Sequence, residues 1–431
     1  MSADTSDARV VITGSGAVCG SGMNADAIID AIIGGRSAIA PIAQWDTTGW
    51  PVTIAAEVPN FNPRALVEDR KLHKLIRRTD MFGIYAASQA IDASKVTAAR
   101  DAMEPAQAAQ FSDRSGLYVG SGGGAYNTQY EYFPLMSETG GALGGFGREL
   151  TNVVNPMWLL RTLPNNVLCH VGIKYNFKGS NACITNHSCG GTLAVIEAAE
   201  ALRRGEADRA VAVGHDALIE PQMVLYYHQC GLLASDTIRP FDARRGGSVF
   251  GEGAGALVLE TEKGARERGA TVMGDVLGAG YAGEALGLLA IRDDGDGVVR
   301  AVRQALEEAE LAPSDIGMIV THGNGTQQSD VSEAAAIRTV FGSDVPPVTA
   351  FKWAIGHLIA AAGMIETVLA LKALERGVVP GIATLGDVDP ACAGIGASAS
   401  ASTPRSPVAL IICRGFAGTN AALIVRAASR G

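Results

Sequence analysis

The chain has 431 residues, 47% hydrophobic and 18% charged, with a formal net charge of −9. That length can bury a large core, as one large domain or two fused halves, and the absence of a long basic run, a zinc pattern or aromatic–basic interleaving argues against a nucleic-acid partner. Residues 1–8 form a polar tail without a signal-peptide pattern, no apolar run reaches the ~18–20 residues of a membrane span, and seven scattered cysteines read as reduced thiols, so the expectation is a soluble cytoplasmic protein.

Along the chain, short β-branched runs alternate with helical patterns. Strands are expected at 9–13, 116–120, 182–185, 210–214, 256–260, 317–321, 408–413 and 422–425. Helices are expected at 88–94, 192–204, 298–310, 331–341 and 361–375. Buried strands alternating with helices indicate an α/β fold. The Gly-rich, polar stretch 134–155 suggests a cap over a site, and the Ala/Ser/Pro-rich stretch 393–407 a surface connection.

The segment Ala182-Cys-Ile-Thr-Asn-His-Ser-Cys189-Gly-Gly-Thr192 reads as a strand, a sharp turn and a helix start. Cys189 stands at that start, where unpaired N–H groups and the helix dipole favour a thiolate, the nucleophilic form of the side chain. Gly190 and Gly191 would keep the approach of a thioester clear. A lone cysteine is more often a buried structural residue; the strand–turn–helix placement is what points to chemistry.

Downstream, Ile319-Val-Thr-His322-Gly-Asn-Gly-Thr326 ends a strand in a glycine-rich loop, with a helix expected from Asp330 as its N-cap. Lys352-Trp-Ala-Ile-Gly-His357 precedes a helix of small residues. A single His is more often a satisfied polar group than a catalyst. One Cys with two loop-borne His suits thioester chemistry, which needs proton handling and oxyanion stabilisation. The spacings hold no CxxC, HxxxH or acidic cluster, so no metal is expected.

Together these segments resemble the β-ketoacyl synthases of the thiolase superfamily. Val11-Ile-Thr-Gly14, Arg78-Thr-Asp80-Met-Phe82-Gly-Ile-Tyr85, Gly120-Ser-Gly-Gly-Gly124, Arg239-Pro-Phe-Asp242 and Gly251-Glu-Gly-Ala-Gly255 carry the likeness, as do Lys352 with His357, and Gly415-Phe-Ala-Gly-Thr-Asn420. The resemblance implies a five-layer α-β-α-β-α thiolase-like fold of two similar halves, 1–265 with the nucleophile and 266–431 with both His. It implies acyl transfer to Cys189, then decarboxylative Claisen condensation with malonyl-acyl carrier protein. His322 and His357 would assist decarboxylation, Lys352 would set the electrostatics, and Glu333 would organise Lys352 and the His322 loop. The N–H groups of Cys189 and Phe416 would form an oxyanion hole. Thr326 and Asn324 would contact the phosphopantetheine arm, and Gly123, Ser248 and Thr419 would shape substrate binding. No cofactor beyond that arm is implied. The implied partners are acyl carrier protein and a second subunit, as a homodimer or as a heterodimer with another ketosynthase-like chain.

This sequence departs from the family's pattern at several points. His187-Ser188 replaces a small pair before the nucleophile, and Ser248 replaces an aromatic. Arg414 stands where an apolar aromatic is usual, and His322-Gly-Asn-Gly-Thr326 resembles the aromatic polyketide version of its loop. A non-catalytic partner of the chain-length-factor type is the competing reading, but such chains lack the nucleophile. A thiolase, which uses a second Cys near the C-terminus as base, is disfavoured because Cys413 falls in the strand before the closing loop. Residues 70–78 carry five Lys or Arg and no acid. Arg70, Lys71 and Lys74 are the candidates for docking an acidic carrier protein, against the plain alternative of a solvated face or of Arg78 paired to Asp80.

Overall fold

The computed structural model describes residues 9–122 and 132–428. Ten strands form one sheet: β1 (Val10–Cys19), β2 (Ser115–Ser121), β3 (Asn181–Ile184), β4 (Arg209–Ala217), β5 (Glu252–Thr261), β6 (Gly274–Gly283), β7 (Met318–Val320), β8 (Val348–Thr349), β9 (Val408–Gly415) and β10 (Thr419–Ala427). Their order is β8-β7-β9-β10-β6-β1-β5-β4-β2-β3. The order is the same set twice. From β1 outward the neighbours β5, β4, β2 and β3 pair antiparallel, antiparallel, parallel and parallel. From β6 outward, β10, β9, β7 and β8 repeat that pattern. The two sets join at three residue pairs, Val10–Val276, Val11–Asp275 and Ile12–Gly274.

Five helices complete the layers: α1 (Arg78–Ser94), α2 (Gly190–Arg203), α3 (Asp296–Glu308), α4 (Gln327–Phe341) and α5 (Ala362–Arg376). Helix α1 covers one outer face on β1, β4 and β5, and α3 covers the other on β6 and β10, with α4 beside it. Helices α2 and α5 pack on each other and on strands of both sets. The layering is α-β-α-β-α, the thiolase-like arrangement. Helix α5 is apolar around nearly its whole circumference, from Ala362 to Leu374, as a helix walled in on every side must be.

Glycines set the outer contacts. A Cβ on Gly16 in β1 would fall 2.1 Å from the Ala86 carbonyl of α1, and one on Gly280 in β6 would fall 2.1 Å from the Ala301 carbonyl of α3. Gly190 and Gly191 have a packing role as well. A Cβ on Gly191 would meet the Ala360 carbonyl at 2.7 Å, and one on Gly120 would meet the Gly190 backbone at 2.3 Å. Gly191 therefore lets α2 sit tightly against the approach to α5, and Gly120 lets β2 close on the start of α2.

Each expected strand and helix coincides with an observed element, overrunning its ends by at most two residues, with two strands of the large sheet unforeseen, β6 and β8. Helix α1 starts ten residues before the expected 88, at Arg78. Helix α4 starts at Gln327 with Thr326 in extended conformation as its cap. Asp330 lies inside α4, fully buried, accepting the Phe241 and Gly325 N–H groups at 2.8 and 3.2 Å. Stretch 134–155 does not roof the site. It falls mostly in two short helices, Phe133–Glu138 and Leu143–Val153, and none of its residues lines the main cavity. Stretch 393–407 is mostly exposed, as expected. No helix among the described residues is long and apolar enough to cross a membrane.

Candidate active site

Strand β3 leads into a 3₁₀ turn, His187–Cys189, which runs directly into α2. Cys189 is the residue ahead of α2 and is fully buried. A cavity of about 610 Å³ opens beside it, lined among others by Ser188, His322, His357, Gly415 and Phe416. Cys189 itself lies just behind this wall. A side chain on Gly415 would reach within 3.7 Å of the Cys189 Sγ, so only a glycine leaves that approach unfilled.

The sign of the Cys189 ionisation differs from the expectation. Its thiol is raised well above the ordinary value, first by the neighbouring Cys413 side chain and then by burial. The Arg414 and Lys352 charges pull the other way. The helix N-terminus is real, but the Cys413 side chain and the desolvation of a thiolate at a site with no exposure act against it. Weak contacts from Sγ reach the carbonyls of Cys413 (3.6 Å) and Thr419 (3.7 Å).

The C-terminal half supplies the two imidazoles. His322 follows β7, and His357 follows the short helix Lys352–Ile355. Their rings meet edge to face with centroids 5.1 Å apart. The Arg414 N–H donates to His322 Nδ1 at 3.3 Å, and the Ile359 N–H to His357 Nδ1 at 3.2 Å. Each Nδ1 is thus an acceptor, which assigns the proton of the neutral ring to Nε2. Burial, then the Lys352 charge, holds both imidazoles well below their usual range. Both are neutral Nε2–H donors at physiological pH.

Glu333, on α4, takes the His322 N–H at 2.6 Å and the Gly323 N–H at 2.9 Å, so it organises the His322 loop as expected. It does not pair with Lys352. The Lys352 Nζ donates to the His322 carbonyl at 2.7 Å and to Glu366 Oε1 at 2.5 Å. Burial pushes the Glu366 carboxyl up to about 7 against the pull of Lys352. Glu366 was legible as the acid in the otherwise apolar run 359–371.

Asn324, Thr326 and Ser248 line the cavity. The Asn324 side-chain carbonyl takes both the N–H and the hydroxyl of Thr326, at 3.0 and 2.9 Å. Thr419 stands behind the wall; its hydroxyl contacts Asn186 Oδ1 and the Phe416 carbonyl. Gly123 lies outside the described residues. The Cys189 N–H is bonded to the Asn186 carbonyl at 3.1 Å, whereas the Phe416 N–H makes no hydrogen bond among the described residues.

Three further features had no local signal. His187 Nε2 lies 2.5 Å from the Tyr227 hydroxyl, forty positions away, and the His187 ring stacks on Phe416 with centroids 4.3 Å apart. Arg414 is buried and spends its guanidinium on Glu284 Oε1 (2.8 Å), Asn420 Oδ1 (3.0 Å) and the Ser329 carbonyl (3.0 Å). Near the start of α1, Arg77 rather than Arg78 pairs with Asp80, and Arg78 pairs with Glu252. Arg70, Lys71 and Lys74 are exposed, with the exposed acids Glu68 and Asp69 next to them in sequence. No group of three or more His, Cys, Asp or Glu among the described residues is placed to hold a metal ion.

Models of the β-ketoacyl synthase N-terminal and C-terminal domains match residues 7–265 and 273–385. Nodulation protein E of Rhizobium leguminosarum bv. trifolii is 32% identical over 427 residues, which is 97% of this chain and 99% of that protein. The 3-oxoacyl-[acyl-carrier-protein] synthase 2 of Staphylococcus aureus (strain COL) is 31% identical over 430 residues, covering 97% and 98%. Among solved structures, the ishigamide ketosynthase/chain length factor matches with a TM-score of 0.86 at 27% identity, over 98% of this chain and 100% of that one. On sequence, fold and site alike, the chain belongs to the β-ketoacyl synthase family.

Proposed function

We propose that this protein is a catalytically active β-ketoacyl-acyl-carrier-protein synthase of fatty-acid or polyketide-type biosynthesis. The supporting observation is the convergence on one cavity of the Cys189-bearing turn and two neutral Nε2–H imidazoles, with the buried Lys352–Glu366 pair bonded to the His322 carbonyl behind them. In the first step Cys189 Sγ bonds to the acyl carbonyl carbon, and the carrier thiol leaves with the proton the Cys189 thiol gave up. The buried sulfur would be reached past Gly415, which places no side chain across that approach. In the second step malonyl-carrier protein loses carbon dioxide, and the electron pair of the broken C–C bond forms an enolate. His322 and His357 donate to its oxygen. The enolate carbon attacks the acyl carbonyl, and the Cys189 thiolate leaves as the tetrahedral intermediate collapses. The N–H groups of Phe416 and Cys189 hold the oxyanion, with the latter relinquishing Asn186. Thr326 and Asn324 face the phosphopantetheine arm, and the scheme calls for no resident cofactor.

The same reading makes the protein part of a dimer, with its own copy or with a second ketosynthase-like subunit. Strand β3 ends the sheet, and Leu143, Leu159 and Ile173 stand exposed. Carrier protein would dock at Arg70, Lys71 and Lys74.

Intact-mass analysis after incubation with acyl-carrier-protein thioesters tests the reading. Wild type gains one acyl mass, and Cys189→Ala gains none. An adduct on the alanine variant sinks the nucleophile assignment. Wild type that never acylates belongs instead with non-catalytic partner subunits.

A further inference from the structure

His357 is held by a turn, and that turn is held from the other half of the chain. Within the 3₁₀ turn Ile359–Ala361, the Ile359 N–H donates to His357 Nδ1 at 3.2 Å, and the Ala361 N–H returns to the Leu358 carbonyl at 3.0 Å. The middle N–H, that of Ala360, leaves the turn and donates to Asp216 Oδ2 at 3.1 Å. Asp216 lies near the end of β4 and is 4% exposed, and its Oδ1 accepts the Ala217 N–H at 2.9 Å. Room for the carboxylate depends on Gly122, just after β2, where a Cβ would come within 2.5 Å of both oxygens. In the matching turn His187–Cys189, the Ser188 nitrogen faces Gly415 instead, which has no side chain to offer.

A buried carboxylate is costly to desolvate unless its charge is used. Here it meets N–H groups at the entry to α5, where the helix dipole also favours negative charge. The peptide it holds is the one that Ile359 begins. Ile359 sits at φ 42°, a strained backbone for a β-branched residue, and such strain persists only where the surroundings fix it. The carboxylate thus fixes the residue whose own N–H meets His357 Nδ1. The charged groups that bear on Asp216 are Arg77, itself paired with Asp80, and Glu220, four residues on. His215, beside it on β4, and His357, beyond the turn, are neutral at physiological pH. Burial raises the Asp216 carboxyl to about 6, so it is ionised at physiological pH; burial and then Asp216 raise Glu220 to about 7.

We infer that Asp216 is a positioning residue for decarboxylation: its carboxylate locks the Ile359–Ala361 turn and so fixes the His357 ring whose Nε2–H serves the enolate. This rests on the condensing reading above.

The test follows carbon dioxide release from malonyl-carrier protein between about pH 5 and 8 in wild type, Asp216→Ala, Asp216→Asn and Glu220→Gln, with Cys189 acylation read by intact mass. Asp216→Ala should lose about tenfold in kcat, the scale of one hydrogen bond to a charged group, with KM and acylation unchanged. Asp216→Asn, whose amide oxygen still accepts from Ala360, should regain most of that loss at neutral pH. The wild-type rate should fall as pH drops through about 6, where the carboxylate is protonated; Asp216→Asn should lack this acid limb and Glu220→Gln should keep it. In nitrogen NMR the wild-type His357 ring should show a fixed Nε2–H tautomer, and Asp216→Ala should move both nitrogens toward the averaged values of an exchanging ring. A wild-type kcat in Asp216→Ala, or equal losses in acylation and decarboxylation, overturns the inference and leaves the condensing reading standing. If Asp216→Ala does not fold, an Asp216→Asn acid limb identical to wild type does the same. If wild type neither acylates nor releases carbon dioxide, the condensing reading falls, and His357 nitrogen signals unmoved in the Asp216 variants then overturn the positioning role as well.

Discussion

The turn that carries Cys189 has a counterpart in the other half. Strand β3 enters α2 through the 3₁₀ turn His187–Cys189; β8 is followed by the 3₁₀ turn Ile359–Ala361, which enters α5. Both turns open on a residue with left-handed backbone, His187 at φ 43° and Ile359 at φ 42°. That conformation is unfavourable for any side chain and worst for a β-branched one. The third residue is Cys189 in one turn and Ala361 in the other. Strain at this elbow therefore belongs to the fold, since Ile359 bears it with no reactive group two residues on. The N-terminal half uses the elbow to hold Cys189, the proposed nucleophile. The C-terminal half fills it with a methyl group and mounts His322, Lys352 and His357 upstream of it.

The largest effect should come from a position where the halves diverge inside their central helices. Glu366 is the fifth residue after Ala361; the fifth after Cys189 is the buried Ala194. Replacing Glu366 by Leu copies the apolar character of α2 but strands Lys352 without its carboxylate. Removing one partner of a buried pair costs about 3–5 kcal/mol. Chemical denaturation should show a loss of that order for Glu366→Leu, with most of it regained in the double variant Lys352→Met/Glu366→Leu. Equal losses in single and double variants would mean that the pair is not coupled.

Under the proposed condensing reading the same comparison divides the work: acyl transfer would belong to the N-terminal elbow, and decarboxylation to the imidazoles of the C-terminal half. Substituting His322 or His357 by Ala removes one Nε2–H donor from the developing enolate, a loss of roughly 10²–10³ in rate in comparable oxyanion sites. Release of carbon dioxide from malonyl-carrier protein should fall by that factor in each variant, while acyl adducts on Cys189 remain measurable. Decarboxylation at the wild-type rate in both variants would end the division.

The halves also meet at the sulfur. Cys413, on β9, is the largest influence raising the Cys189 thiol, with burial second. A raised thiol stays protonated through neutrality and becomes thiolate only as pH climbs past the ordinary thiol range. Alkylation of Cys189 by iodoacetamide should be slow at pH 7 and rise steeply into alkali. Cys413→Ala should move that rise to lower pH. An unmoved profile would leave burial as the sole cause.

How much of this the sequence displayed depended on whether the signal was local. Cys189 and His322 stand beside glycines shortly after a strand, and His357 beside Gly356 after a short helix, patterns readable within a dozen residues. Strand β6 hid because Gly274, Gly278, Gly280 and Gly283 look like a loop, although two of them exist to admit α3. The family resemblance points to Glu333 as the organiser of Lys352, and only the packing of α5 under the site brings Glu366 within reach instead. Tyr227 carried no mark at all until the fold stacked it beside His187. A helix N-terminus is visible in sequence, whereas the Cys413 neighbour and the complete burial that raise the Cys189 thiol are not.

The smallest effect concerns a surface that only the N-terminal half carries. Arg70, Lys71 and Lys74 are exposed around a short 3₁₀ turn just before α1, on a chain whose net charge is −9. A local basic patch on an acidic protein steers an acidic partner into contact, chiefly through the association rate, and salt screens it over about 10 Å at 0.1 M. The patch is weakened from within: Glu68 and Asp69 are exposed beside it, and the Lys71 N–H is tied to the Asp69 carboxylate at 2.9 Å. Arg77 and Arg78 add nothing, because each is committed to its own carboxylate. Reversing Arg70, Lys71 and Lys74 to Glu should therefore raise the apparent KM for carrier-protein substrates by only about threefold to tenfold at low salt, the scale of rim charges. The effect should fade in 0.5 M salt, and pantetheine thioesters, which carry no protein surface, should react as before. An unchanged KM for carrier protein at low salt would place docking on another face. An equal loss with pantetheine thioesters would show that the segment supports the site through the fold, not through charge.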